Sequence, residues 1–465
     1  MKAHLFKLFS LIIFLLGCGL LPISATAPTE APVVATLIVP ASTSTITFTP
    51  LVTPQEPDST TYPPTPTFIS APLPSNLAVS YIIEDELWVW KQNTPQLLTK
   101  QQGIYSPVFS DDGQWILFKQ RDNQGNRTPT PSDELWVIRP DGNGLQRLVG
   151  SDDLKVLNGD EVSLLIDDIG WLPGSHEILF NTDRIVNGPP GSWPNFDLYS
   201  LDLSGHVTQL AIPGQGGKFI ISPDGSHIAL VTDSRIGLFD LKTNQQRTLL
   251  EFKHLEIPSE IYYVPNVIWD PEGNFVMTSI PPHNIYYSSY NGEPEEVWRL
   301  FVDGQAEIIA QVLPQKGVAI SPNAQRFFYI NGYCDGRQRM LYAGRQRMLY
   351  VRDLTSDDNY PLICGVGLPQ WTPDSEHFIY KQGYWQLGSI KNTISQPLDF
   401  LNVPTAPNFF VPPQLTWIDQ RYFLLVLPGR DACTLSVATL QGVVTEIAST
   451  PLDDCHWRVD FNLKR

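Results

Sequence analysis

The sequence predicts an all-β fold: a β-propeller of seven or eight four-stranded blades, preceded by a disordered stalk. Three observations predict it. A turn motif recurs seven times at intervals of about fifty residues, apolar residues alternate with period two on either side of each copy, and the punctuating turns are rich in Gly, Asp and Pro with no helical stripe between them.

The motif is a Trp or other hydrophobe, then Ser-Pro-Asp-Gly or a worn version of it, then a short apolar run. Ser110-Asp111-Asp112-Gly113, Leu172-Pro173-Gly174-Ser175 and Ser222-Pro223-Asp224-Gly225 are the first three copies. Asp270-Pro271-Glu272-Gly273, Ser321-Pro322-Asn323-Ala324, Thr372-Pro373-Asp374-Ser375 and the weakest, Trp417-Ile418-Asp419-Gln420, follow. After each comes an alternating strand such as Glu134 to Ile138 or Asp197 to Leu201, a second tight turn such as Asp141-Gly142-Asn143-Gly144, and a fourth strand ending near Leu148 or Leu210. Asp caps its own turn, Gly accepts positive φ and Pro fixes the bend, so each hairpin closes in a few residues. One such meander cannot cover both its faces, whereas radial stacking covers them and leaves only short edges.

These motifs resemble the TolB-type, WD40-like propeller family over about residues 77 to 463. The resemblance implies the fold; it does not imply one activity, because the family's repeat serves transport accessories, peptidase propellers and plain binding modules. Seven motifs count seven blades. Three strands precede the first motif, at Val79 to Ile83, Leu87 to Trp90 and Gln96 to Leu98, and His456 to Asn462 at the other end can supply their missing fourth. Eight blades, the last closed by both chain ends, is the favoured count.

Residues 1–18 read as an export signal: Lys2 and Lys7 are followed by the apolar run Leu8 to Leu16, too short for a comfortable membrane span. Leu15-Leu16-Gly17-Cys18 resembles the lipobox of bacterial lipoproteins, which implies lipidation of Cys18, with palmitate an expected acyl chain, and anchorage to the cell membrane or outer membrane. An ordinary signal peptide cleaved near Ala25 or Ala27 is the alternative, and either exports the rest. Residues 19–75 hold twelve Pro, twelve Thr and three charges, a composition that cannot bury enough apolar surface to fold and favours extended polyproline II. At roughly 3 Å per residue such a tether reaches well over 100 Å when extended. Residues 76–465 have the composition of one folded domain, expected to be a monomer. The net charge of −17 argues against a nucleic-acid partner, which needs Lys and Arg clusters.

Four cysteines follow Cys18. Their even number in an exported chain, and the placing of each pair within one repeat, suggest Cys334 with Cys364 and Cys433 with Cys455; free buried thiols are the alternative. Gly336 to Tyr342 is repeated without change as Gly344 to Tyr350, either an eight-residue tandem duplication or a sequencing artefact.

In a four-stranded meander the first and third turns lie on one face, and the second turn and inter-blade connection on the other. The motif turns and the Asp-Gly turns share the first face. The long segments, 119–132, 150–168, 181–195, 255–265, 279–295, 331–347 and 401–413, share the second. They carry Trp193, Phe196, Tyr262, Tyr263, Tyr286, Tyr287, Tyr290, Phe409 and Phe410 as candidates for a binding face, and the acids Asp152, Asp153, Asp160, Glu161, Asp167 and Asp168. There is no Gly-x-Ser-x-Gly elbow, phosphate loop, His-Glu-x-x-His or EF-hand pattern. His176, His227 and His377 recur at one position of their repeats, so radial repetition keeps them apart, and they are expected to be structural. No catalytic residue, cofactor or metal is assigned, although calcium at the acids between Asp152 and Asp168 is conceivable. The expected function is non-catalytic binding or scaffolding of a protein or glycan partner by a tethered propeller. The alternative is a propeller hydrolase or lyase that uses acids around the central channel on polysaccharide.

Overall fold

The structure, a computed structural model, describes residues 73–122, 132–157, 164–186, 191–254, 263–282, 294–313, 317–334, 346–391, 395–402, 412–429, 431–451 and 458–463. Residues 67–465 form one compact unit, and Cys18 and the stalk lie outside the described residues. Among the described residues no helix is long and apolar enough to cross a membrane.

Eight antiparallel sheets form a ring of eight four-stranded blades. In chain order, blades 1 to 7 span 104–149, 164–211, 218–251, 267–312, 318–364, 370–397 and 414–451. Blade 8 joins Val459–Leu463 to Leu77–Ile83, Glu86–Lys91 and Thr94–Lys100, so both chain ends build it and the higher blade count is correct. Within each blade the strands are named A to D outward from the hub. Blade 2 departs slightly from the pattern: its strand C is broken into Ser192–Pro194 and Leu198–Leu201, both paired to the strand Ile178–Ile185.

Period-two alternation works here on two buried faces rather than on one wet and one dry. Ile178 and Phe180 pack toward blade 1 while Leu179 packs toward blade 3, and Phe327 and Phe328 divide in the same way between blades 4 and 6. The eight apolar clusters accordingly fall one to each blade-to-blade interface. Stability is distributed around the ring as a set of nearest-neighbour contacts.

The motif residues act as expected for turn capping. Asp224 Oδ1 accepts from Ser222 Oγ at 2.6 Å and from Ser226 N at 3.1 Å, and Ser222 Oγ accepts from His227 N at 2.9 Å. The hydroxyls of Ser222 and Ser226, together with the Ser226 amide, hold the Asp224 carboxyl down at about 2. Asp112, Asn323 and Asp374 repeat the arrangement, and Asp270 replaces the Ser as acceptor for Phe275 N at 2.8 Å. Worn copies keep the backbone even without the glycine: Ala324 and Ser375 hold φ of 52° and 57° where Gly113 and Gly225 hold 62° and 69°.

The Trp before the motif is explained by a bond between blades. Trp171 Nε1 donates to Val108 O at 3.0 Å, Trp269 Nε1 to Ile220 O at 2.9 Å and Trp371 Nε1 to Ala319 O at 2.9 Å, each reaching strand A of the preceding blade. Blade 5 carries the Cys334–Cys364 disulfide, with a Cα separation of 5.8 Å, which clips its B–C connection to the end of strand D. The loop-entropy model assigns a loop of this size about 3–4 kcal/mol. Cys433 is buried and disulfide-bonded, while Cys455 lies outside the described residues.

The segment 150–168 corrects the expectation of helix-free connections and of a single acidic run. Ser151–Leu157 is a short helix with Asp152 and Asp153 in its first turn; Asp153 Oδ2 accepts from Gly150 N at 2.8 Å and Leu154 is buried beneath it. Acids in a first turn favour the helix through its dipole, a signal that strand periodicity obscured. Asp160 and Glu161 lie outside the described residues, and Asp167 and Asp168 belong to strand A of blade 2.

Candidate functional site

The described connections follow the strand polarity. Turns A–B and C–D are tight and share one face, and the B–C and D–A connections leave their strands at the opposite face, some as short as residues 84–85 and 232–234 and others running through residues outside the described ones. On that loop face the channel mouth is framed by the first residues of the A strands, and its charge is lopsided. The A strands of blades 4 to 7, Val267–Trp269, Val318–Ile320, Gln370–Trp371 and Gln414–Trp417, hold no ionisable residue. Those of blades 8, 1, 2 and 3 supply Asp460, Tyr105, Asp167 with Asp168, and Lys218, and Arg458 immediately precedes the first. On the neutral side a cavity of about 360 Å³ is lined by Ile268, Val318, Ala319, Pro369, Gln370 and Trp371.

Two bulges shape the charged side. Pairing of blade 1 strand A slips between Tyr105 and Val108, where Ser106 takes φ of 53°, and blade 2 strand A slips between Ile166 and Ile169. Bulges re-aim side chains that regular pleating would alternate. Here Asp167 and Asp168 become the extra residues, and groups from blade 1 hold them. Lys119, 7% exposed, donates its Nζ to Ile166 O at 3.2 Å and to Asp167 O. Asp133, fully buried, accepts from Ile166 N at 3.2 Å and pairs with Arg121 Nε at 3.2 Å. Burial lowers the Lys119 pKa, opposed by the charges of Asp133, Asp167 and Asp168.

Burial pushes the Asp167 carboxyl up to about 6, with further upward pressure from Asp168 and Asp183, while Lys218 and Lys119 oppose it. Asp183 is also raised, chiefly by burial, although Ser192 Oγ donates to it at 3.1 Å. The charges of Asp168, Asp183, Lys119 and Lys218 thus all act on Asp167, whose strand lines the channel between blades 1 and 3. Beside them, between blades 8 and 1, Gly103, Ile104, Tyr105, Arg121 and Arg458 line a cleft of about 220 Å³. Lys119 Nζ, Arg121 Cζ and Arg458 Cζ lie 4.6, 5.3 and 4.8 Å from the centre of the Tyr105 ring.

Asp460, on strand A of blade 8, tests the closure seam. Its Oδ2 accepts from Phe109 N of blade 1 at 2.6 Å, and burial pushes its carboxyl up to about 6. An acid raised in the folded state binds its proton more tightly there than in the unfolded chain. Its ionisation thus costs stability as pH rises through the range between the ordinary carboxylate value and about 6, and that cost is fully present above it. Asp460→Asn keeps an acceptor for Phe109 N. Relative to wild type it is expected to gain on the order of 1–3 kcal/mol at pH 8 and nothing at pH 4. Thermal unfolding of both proteins at the two pH values checks this, and an equal shift at both would refute the assignment.

Of the aromatic candidates, the described residues include Trp193, Phe196 and Tyr263, each half-buried; Tyr262, Tyr286, Tyr287, Tyr290, Phe409 and Phe410 lie outside them. Trp193 sits in the outer piece of blade 2 strand C, opposite Arg184, rather than in an open loop. Phe196 occupies the break in that strand with φ of 51°, and its carbonyl accepts from Gly216 N. Tyr263 has its pKa raised by burial and by Glu295. The three histidines stay in separate blades on the tight-turn face: His176 contacts Asp112 at 2.9 Å, His227 contacts Ser226 at 2.7 Å and His377 contacts Asp374 at 2.7 Å. Among the described residues no three His, Cys, Asp or Glu side chains are grouped to hold a metal ion.

Asp167 and Asp168, expected among loop acids, lie on a strand instead, and Tyr105, Lys119, Arg121, Lys218 and Arg458 join them without a motif of their own in the sequence. The available signal was alignment of the repeats. Tyr105, Asp167 and Lys218 lie four or five residues before their motifs, where the later repeats are neutral except for Lys316, which lies outside the described residues.

The architecture defines a β-propeller protein with one elaborated face. No family model matches the chain, and no curated protein matches it. Among solved structures it is similar to TolB from Acinetobacter baumannii, at 13% identity over 77% of this chain and 81% of that one, with a TM-score of 0.34. It is similar also to an oligogalacturonate lyase in complex with manganese, at 12% identity over 78% and 96% with a TM-score of 0.43. A third is Porphyromonas gingivalis dipeptidyl peptidase 4, at 12% over 74% and 53%, also with a TM-score of 0.43. The neighbours thus range from TolB to a lyase and a peptidase, and the likeness concerns the fold alone.

Proposed function

We propose that this protein is a non-catalytic, extracytoplasmic binding lipoprotein, anchored through Cys18 and held off the membrane by residues 19–75. Its propeller engages a protein or glycan partner through the loop face. The observation that carries the reading is the gathering of long connections and a charged half-rim on one end of a rigid ring whose other end is made of tight capped turns. Residues 67–465 immobilised on beads are expected to retain a partner from envelope extract or a glycan library. Simultaneous Trp193→Ala, Tyr286→Ala and Tyr287→Ala substitution is expected to reduce retention at least tenfold. Undiminished retention would remove the loop face from consideration.

A second reading is favoured by one observation: Asp167, with a carboxyl near 6, adjoins Asp168 and Asp183 at the channel mouth. Carboxyls of unequal acidity are the material of general acid–base cleavage of polysaccharide. Release of reducing ends or unsaturated products by the wild type, lost in Asp167→Asn and Asp168→Asn, would establish this reading over the first.

A further inference from the structure

We infer that the cleft between blades 8 and 1, formed by Tyr105, Arg121 and Arg458, is a binding site for a carboxylate group of a small ligand or of a ligand's end. The inference rests on the loop face being the ligand-binding face, and it gives one subsite there a chemistry.

The argument begins with unspent donors. Arg121 gives its Nε to Asp133, but its side chain is 44% exposed, and no acid besides Asp133 pairs with it among the described residues. Arg458, exposed at the rim, pairs with no acid among the described residues; its guanidinium lies 4.8 Å from the Tyr105 ring centre. The Tyr105 hydroxyl is enclosed beside Asp133 and Arg121, yet it makes no hydrogen bond of good geometry there. Around the Tyr105 ring, the Arg121 and Arg458 guanidinium groups line the cleft with donors that, apart from the Arg121 Nε given to Asp133, no acid among the described residues takes up. Both guanidinium groups also present planar donor arrays, whose fork matches a carboxylate.

Charge selects among anions. The charges of Asp133, Asp167 and Asp168 act on the buried Lys119, and Asp133 also pairs with Arg121, which leaves the exposed Arg458 as the cation of the cleft without an acidic partner among the described residues. That suits a monoanion better than a dianionic phosphate, particularly with Asp167 and Asp168 on the neighbouring strand. The volume of about 220 Å³ takes one terminal group and not an extended ligand. On a chain of net charge −17 such a locally cationic cleft is selective by contrast with its surroundings.

The test titrates residues 67–465 with glucuronate and with N-acetyl-alanyl-alanine, each against its neutral counterpart, glucose and the dipeptide amide, and with inorganic phosphate, followed by saturation-transfer NMR. At least one carboxylate is expected to bind about tenfold or more tightly than its neutral counterpart, and which one does so separates a sugar acid from a peptide end. Arg458→Gln and Tyr105→Phe, with unchanged thermal unfolding, are each expected to weaken that binding by about tenfold. Equal binding of acid and neutral forms, tighter binding of phosphate, no binding of either acid, or indifference to both substitutions would overturn the inference. The macromolecular retention assay with the aromatic substitutions reads the loop face independently, so failure of the subsite and failure of the face give different results.

Discussion

Deletion of residues 458–465 is expected to abolish cooperative folding of the propeller. The lost segment contains strand A of blade 8, whose pairing runs from Leu77 opposite Leu463 to Tyr81 opposite Val459. Without it, the strand Leu77–Ile83 becomes an unpaired edge facing the channel, and blade 1 loses the innermost strand of its neighbour while Ala78, Leu87 and Val89 still pack against it. Three sets of contacts go together. The first is the ladder itself, and the second is the packing of Val459, Phe461 and Leu463 against the blade 7–8 core. The third is the seam, where Asn462 Nδ2 donates to Ser110 O and Asp111 O at 3.0 Å each and Asp460 accepts from Phe109 N. The combined loss is comparable with the whole stability of a folded domain, about 5–15 kcal/mol. An exposed, apolar edge strand also invites aggregation. The expected readout is insoluble or oligomeric protein without a cooperative thermal transition. Moving residues 458–463 ahead of residue 76 through a short turn should restore monomeric folding, because Leu463 and Leu77 already face each other. A truncated protein that melts as the wild type does would mean that the ring is not closed by this strand.

That closure was legible in the sequence because three strands without a fourth violate the count of a meander, and only the other chain end could complete it. The turn motif was legible for a similar reason: Ser, Asp and Gly at fixed spacing have one local solution, and Asp224, Asn323 and Asp374 all adopt it. The charged rim was less visible. Tyr105 and Asp167 owe their placement to bulges, and a bulge changes the register of one strand without leaving a distinct composition behind. Lys119 and Asp133 read as ordinary alternating residues of their strands, and only tertiary contact shows that they hold the neighbouring blade's backbone. The short helix at Ser151–Leu157 escaped because one buried residue, Leu154, makes no stripe.

Gly216→Ala is expected to destabilise the propeller by about 3 kcal/mol or more, a large effect for adding one methyl group. A Cβ at Gly216 would stand 2.3 Å from the Asp197 carbonyl carbon and oxygen and 2.7 Å from its Cα, all backbone atoms that no rotamer change can move aside. Asp197 cannot yield, because it is fully buried in the break of blade 2 strand C. Its carboxylate accepts from Thr182 N at 2.7 Å, Thr182 Oγ1 at 2.6 Å and Asn195 Nδ2 at 2.7 Å. The connection cannot easily swing outward either, since Gly214 N donates to Asn195 O at 3.0 Å and Arg235 holds the Gln215 carbonyl at 2.7 Å. Gly174→Ala supplies the comparison: at φ of 71° with nothing within 4 Å of the new Cβ, it carries only the conformational cost of roughly 1 kcal/mol. Because Gly216 lies two residues before Lys218, the displaced connection should also disturb the charged rim. Denaturant unfolding of the two variants should separate them clearly, and equal midpoints would show that the blade 2 to blade 3 connection is not pressed against Asp197 in solution.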